Sequence, residues 1–347
     1  MPFRDLVDQD HAIFLLRTAV RTGRVSHAYL FVGPPGVGRS GAALAFAQLL
    51  NCERPADGDA CGQCHACTLI ASGQHPDVRV VDLDEGKRLD PEDTTTTGIG
   101  IKQILALRRE VVFPPFQGKW KVYVFVNAET MTTEAANSLL KVLEEPPERV
   151  VIILIAESPV PLLPTVVSRC QLVRFSLIPG PAIERVLIDR YKLPASKVRF
   201  VAALSGGQLG RAVEWVTSEE AQQRRETILD LMDRLEDADP LDRLDAAEQL
   251  SKEKDDLPEL LEIALFWYRD ILVWQQTATD ERLINLDRKD RIVARAASLT
   301  SAVLNKRLLA VEDAKDALRR NVHPRLLLET LFLRMAPPTE PTAGRRS

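Results

Sequence analysis

Ala28-Tyr29-Leu30-Phe31-Val32-Gly33-Pro34-Pro35-Gly36-Val37-Gly38-Arg39-Ser40 is the stretch that decides the fold. Its first five residues read as a buried strand. Gly33 and Gly38 then fall at phosphate-loop spacing, and Ala42 to Leu50 has the propensity of a helix. In such a loop the backbone N–H groups and the start of the following helix bind phosphate, and a lysine before the serine touches the terminal phosphates. Arg39 stands at that lysine position, and its wide planar fork replaces the compact ammonium poorly. The partner strand should end in acidic residues, one of them helping to hold Mg²⁺. Val122-Tyr123-Val124-Phe125-Val126 ends instead in Asn127-Ala128. An amide weakens the metal site, and a methyl group cannot polarise an attacking water. Gly33, Gly36, Gly38, Arg39 and Ser40 are therefore read as a degenerate nucleotide site that has lost hydrolysis. The alternatives are a glycine-rich turn that never bound nucleotide and an active ATPase. Strand alternation is expected to turn Glu129, one residue past the missing acidic pair, to the other face.

Working outward from this loop, strands alternate with amphipathic helices, the pattern of a parallel sheet covered by helices. Helices are expected at 11–22, 101–111 and 132–143, and strands at 28–32, 78–83, 121–126, 150–156 and 172–175. That makes a five-stranded sheet. Pro179-Gly180-Pro181 breaks the pattern, and the chain beyond it reads as helix throughout. The expected domains are 1–177 with an inserted module at 51–69, a helical lid with its linking helix at 178–237, and an all-helical domain at 238–335. Asp239-Pro240 is a helix start, an acid cap followed by proline at the first helical position. The tail 336–347 lacks core-forming residues and is expected to be disordered.

The 347 residues carry 45 basic and 49 acidic side chains, a net charge of −4 that excludes a polybasic nucleic-acid binder. The longest apolar run, Val150 to Ala156, is too short to span a bilayer, and the N-terminus lacks a signal-peptide pattern. A cytoplasmic protein is expected. Of five cysteines, Cys52, Cys61, Cys64 and Cys67 cluster while Cys170 stands alone. Four thiolates at this spacing satisfy a tetrahedral Zn²⁺ with no open position, so the site should be structural, stapling a loop from 51 to 69 too poor in apolar residues to fold alone. Four reduced thiols or an iron cluster are the alternatives, and His65 is an alternative fourth ligand to Cys52.

Ser168-Arg169-Cys170 precedes the last strand. At the edge of an ATPase domain Arg169 could reach a neighbour's nucleotide; taken alone, it reads more simply as a salt-bridged surface residue, and the choice depends on the family. Cys170 reads as a small buried residue.

Gly33 to Ser40, the four clustered cysteines, Asn137-Ser138-Leu139-Leu140-Lys141-Val142-Leu143-Glu144-Glu145-Pro146-Pro147 and Ser168-Arg169-Cys170 occur in the order seen in bacterial clamp-loader subunits of the AAA+ class, which the chain resembles. His27 to Phe31 also looks like that family, and the likeness covers about residues 1 to 216 by motif and the rest by architecture. The resemblance implies a AAA+ P-loop domain, a small helical lid and a collar that joins a ring of five subunits, part of a DNA polymerase III holoenzyme. A motor subunit of this family would carry lysine at 39 and acids at 127 and 128. The departures imply a non-hydrolysing, stator-like member that donates Arg169 to a neighbouring motor. Its implied partners are motor subunits, a clamp-opening subunit, the sliding clamp and primed DNA.

Ser205-Gly206-Gly207-Gln208-Leu209-Gly210-Arg211 resembles the family's nucleotide-sensing segment, with Arg211 at the sensing position or serving as a packing arginine. The rival functions are an ATP-hydrolysing motor of the same complex and a zinc-dependent DNA-binding module. Lys102, Arg108, Arg109, Lys119 and Lys121 form a modest basic group of the kind that usually marks solvated helix faces. Glu144-Glu145-Pro146-Pro147 is read as a helix stop, with no catalytic role for its acids.

Overall fold

Five strands form one parallel sheet in the order β2-β3-β4-β1-β5: β1 (Ala28–Val32), β2 (Val78–Val81), β3 (Lys121–Phe125), β4 (Val150–Ala156) and β5 (Gln171–Arg174). The structure is a computed structural model that describes residues 1–82 and 98–336. Leu83, expected to end the second strand, and residues 337–347 of the expected disordered tail lie outside the described residues. The other strands fall within a residue of their expected bounds. Phe175 continues the edge pairing, donating its N–H to the Val32 carbonyl at 2.7 Å.

Every residue of β1, β3 and β4 is buried, because parallel strands are covered on both faces. Alternation divides them between two cores. Tyr29, Phe31, Val151 and Ile153 pack with α1 (Asp10–Arg21), α2 (Arg39–Asn51) and α3 (His65–Ala71). Leu30, Val32, Ile152 and Leu154 pack with α4 (Ile101–Glu110), α5 (Thr133–Glu144) and α6 (Pro164–Val167). Each such side chain contributes roughly 1.5–3 kcal/mol of burial before chain entropy is set against it. Central β1 pairs with β4 from Ala28 opposite Ile152 to Val32 opposite Ala156, and with β5 on its other side. The loops leaving β1, β3 and β4 therefore share the carboxyl edge of the sheet, where ligands bind in open α/β folds.

The inserted module is not the bare loop expected from its composition. It ends in α3, which starts at His65 and runs past residue 69, and whose Ala66, Cys67 and Ile70 enter the first core. Buried Asp59 accepts the N–H groups of Phe3 and Arg4, each at 3.0 Å, and ties the module to the N-terminus.

Asp77 fixes the approach to β3 by accepting the N–H groups of Phe116, Gln117 and Gly118, each at 2.7 Å. Burial pushes its carboxyl pKa up, but these three donors and the nearby His75 outweigh that and hold it below the usual value. Asp77→Ala is expected to cost about 2–3 kcal/mol, seen as a lower urea midpoint at unchanged m. Because the folded-state pKa is depressed, this contribution is full above about pH 5 and is lost as the pH falls through that lowered value.

The chain divides into two compact units, Met1–Ala182 with Gly207–Gly210, and Ile183–Gly206 with the residues from Arg211 onward. The second unit is helical among the described residues: α7 (Gly180–Asp189), which begins in the first unit, α8 (Ala195–Leu204), α9 (Leu209–Thr217), which also begins in the first unit, α10 (Glu219–Leu235), α11 (Pro240–Leu250), α12 (Leu257–Thr277), α13 (Lys289–Ser298), α14 (Ser301–Arg319) and α15 (Pro324–Arg334). Asp239 caps α11 as its sequence requires, accepting from the N–H groups of Leu241 and Asp242. The centre is α12, with Leu261, Ile263, Ala264, Trp267 and Ile271 fully buried against neighbours that include α10 and α14. Arg225 is fully buried and meets Asp287 with both nitrogens, at 2.7 and 2.8 Å, while its guanidinium lies 4.1 Å from the centre of the Phe200 ring. A buried charge is tolerated when it is paired in this way, although Arg225 Nε is left without a hydrogen-bond partner.

Candidate functional site

The phosphate loop leaves β1 with the backbone that its glycines allow. Gly33 has φ +152°, and a Cβ there would stand 2.3 Å from the Phe175 carbonyl oxygen; Gly38 caps α2 at φ +101°. Alanine fits neither position without strain. Arg39 opens α2 and is buried, 8% exposed, with Nη1 lacking a hydrogen-bond partner. Burial lowers its pKa, and the carboxylates of Glu129 and Glu157 oppose that shift. A cation, two acids and the glycine loop thus meet at the carboxyl edge of the sheet. Ser40 is exposed beside them. The Gly36 carbonyl accepts the Gly210 N–H at 2.8 Å, so the segment Gly207–Gly210 lies against the crest of the loop.

Glu129 does not turn to the far face as strand alternation suggested. β3 stops at Phe125, Asn127 takes φ +56°, and Ala128–Thr130 forms a single 3₁₀ turn, so the two-residue period ends before Glu129. Its Oε2 is buried without a hydrogen-bond partner.

The four clustered cysteines converge. Their sulfur atoms all lie within 4.8 Å of one another, and Cys52 Sγ stands 4.0 Å from Cys64 Sγ. A tetrahedral ion with metal–sulfur bonds of about 2.3 Å places sulfurs about 3.8 Å apart, so the set can hold a metal ion. Cys52 ends α2, Cys64 caps α3 and Cys67 lies in its first turn. Backbone N–H groups of Gln63 and Cys64 point at Cys61 Sγ, at 3.5 and 3.3 Å, and lower the Cys61 thiol pKa to about 6. Burial pushes Cys52 and Cys67 the other way. Four thiolates so close together therefore need a cation as counter-charge. His65 is exposed and outside the set.

Arg169 follows the short α6. Its Nη1 donates to the Thr165 carbonyl at 3.0 Å and its Nη2 to Glu144 Oε1 at 2.9 Å, with the side chain 36% exposed. The helix-stop reading of Glu144-Glu145-Pro146-Pro147 places the end of α5 but misses this contact. One signal was available: an acid in a last helical turn opposes the helix dipole unless a cation faces it. Cys170 is half-buried rather than fully buried, and desolvation pushes its thiol up to about 12, which suits packing and not nucleophilic chemistry.

The basic group is not one face. Lys121 is buried, with Nζ donating to the Glu110 carbonyl at 2.8 Å; Lys119 Nζ donates to the Cys52 carbonyl at 2.8 Å; and Arg108 reaches Ser138 Oγ at 3.4 Å. Within the second unit, burial raises the Glu259 carboxyl pKa against the opposing pull of Arg224 and then of Arg211, which is exposed on α9. No helix among the described residues is long and apolar enough to cross a membrane.

Comparison with known proteins accords with these features. Residues 8–179 match the family model described as DNA polymerase III, delta subunit, and residues 218–336 the model described as DNA polymerase III, delta subunit, C terminal. Over 330 residues the chain is 33% identical to DNA polymerase III subunit delta' of Bacillus subtilis, covering 94% of this chain and 95% of that protein. It is 40% identical over 187 residues to the delta' subunit of Pseudomonas aeruginosa, covering 52% of this chain and 53% of that one. DNA polymerase III subunit tau of Bacillus subtilis is 25% identical over 364 residues, covering 99% of this chain and 62% of that protein.

Proposed function

The chain belongs to the delta-prime family of DNA polymerase III clamp-loader subunits, and from that premise we propose that it is a member without ATPase activity of its own, which completes a neighbouring subunit's ATP site with Arg169. In this reading it takes a fixed place in a five-subunit ring with motor and clamp-opening subunits, and the ring loads the sliding clamp onto primed DNA. The observation that carries the proposal is Arg39. Its buried guanidinium sits at the loop with Glu129 and Glu157 as counter-charges, where hydrolysis needs a lysine, and β3 runs on to an amide and a methyl where Mg²⁺ needs acids.

A partly exposed arginine in a subunit without a working site of its own suits action in trans. The metal at Cys52, Cys61, Cys64 and Cys67 is inferred to be zinc. Once bound, it closes a four-thiolate shell with no position for substrate and so serves structure.

Steady-state hydrolysis by the purified chain tests the first claim. No turnover above background is expected, and Arg39→Lys alone should not create any, because Asn127 and Ala128 still supply no carboxylate for Mg²⁺. Turnover that disappears on Ser40→Ala would instead establish a motor subunit. Mass measurement of the chain mixed with motor and clamp-opening subunits tests assembly; failure to enter a complex rejects the proposed place in the ring.

A further inference from the structure

We propose that Glu144 is a positioning residue that orients the Arg169 guanidinium for the neighbouring subunit's phosphates, an inference that rests on Arg169 acting in trans. Pro146 and Pro147 prevent α5 from continuing, so Glu144 is the last residue of the helix. There it faces the negative end of the helix dipole and calls for a cation. Arg169 is that cation, 2.9 Å away.

The second restraint comes from another element, the Thr165 carbonyl of α6, at 3.0 Å from Nη1. One acceptor leaves a guanidinium free to rotate; two acceptors on different elements define its plane. A guanidinium has five N–H donors, and these contacts leave others to meet a phosphate. With side-chain exposures of 36% and 50%, the ion pair is too solvated to act as a lock. It orders the arginine before the neighbour arrives, so less rotamer freedom is lost when the phosphates are met.

The test is single-turnover ATP hydrolysis by the reconstituted complex. Glu144→Ala should slow the ATP equivalent served by this chain about fivefold at saturating ATP, with KM unchanged, in line with the modest strength of an exposed pair. Glu144→Gln keeps an acceptor oxygen and should recover most of the rate, while Glu144→Lys should slow it further. Added to Arg169→Ala, Glu144→Ala should change nothing more. Equal slowing in both backgrounds, or a rate unchanged or raised by Glu144→Ala while Arg169→Ala slows hydrolysis, overturns the positioning role. If Arg169→Ala itself has no effect, it is the trans-finger reading that fails.

Discussion

Arg169→Ala leaves one ATP per reconstituted clamp-loader complex essentially unhydrolysed in a single turnover, its rate lowered by about 10³-fold or more, as for other arginines that stabilise phosphoryl-transfer charge from a neighbouring chain. The side chain is partly exposed, and its contacts among the described residues are one salt bridge and one carbonyl hydrogen bond, so stability and assembly should hardly change. The two measurements must therefore separate. Unchanged mass and melting temperature with one slow ATP equivalent identify a finger. Hydrolysis of every ATP at the normal rate rejects it, and loss of the complex would mean that Arg169 holds the interface instead.

Cys64→Ser is the second large effect. Zinc content should fall from one ion per chain to none, and the melting temperature of the first unit should drop by about 10 °C or more. Apparent binding energies of structural zinc, about 10–16 kcal/mol, rival the whole stability of a domain, about 5–15 kcal/mol. Only part of this is lost, because Ala66 and Ile70 hold α3 in the core independently of the metal. A loss of about 4 kcal/mol in a unit of this size corresponds to the stated shift. His65→Ala should keep both zinc and stability, since the imidazole lies outside the thiol cluster. A purified chain that contains no zinc and melts identically with and without a chelator rejects the site, and an iron-cluster absorbance would replace zinc with iron.

Much of this was legible in the residues themselves. The strand–loop–helix at Ala28 to Asn51 follows from an apolar run, glycine spacing and helix propensity, all of them local properties. The helix start at Asp239-Pro240 and the helix stop before Pro146 are equally local, because capping and proline geometry act within a turn or two. The thiol set was legible as well, since close spacing brings ligands together whatever the rest of the chain does. α3 was not, because its few apolar residues gain meaning only from the core they enter.

By itself the sequence determined the P-loop architecture of the first unit, the missing lysine and acids, the thiol cluster and the arginine motif. The tertiary structure alone decided what those residues face. Glu129 turned towards Arg39 because a left-handed residue at Asn127 ended the strand period, an event no periodicity anticipates. Glu144 met Arg169 because α5 and α6, 25 residues apart at that contact, pack on the same face of one sheet. Lys119 and Lys121 left the basic group because backbone carbonyls from other segments took their ammonium groups. The physical reason is common to all three: spacing along the chain fixes which chemistry is available, whereas charge pairing depends on distances through space that only the packed sheet and its helices set.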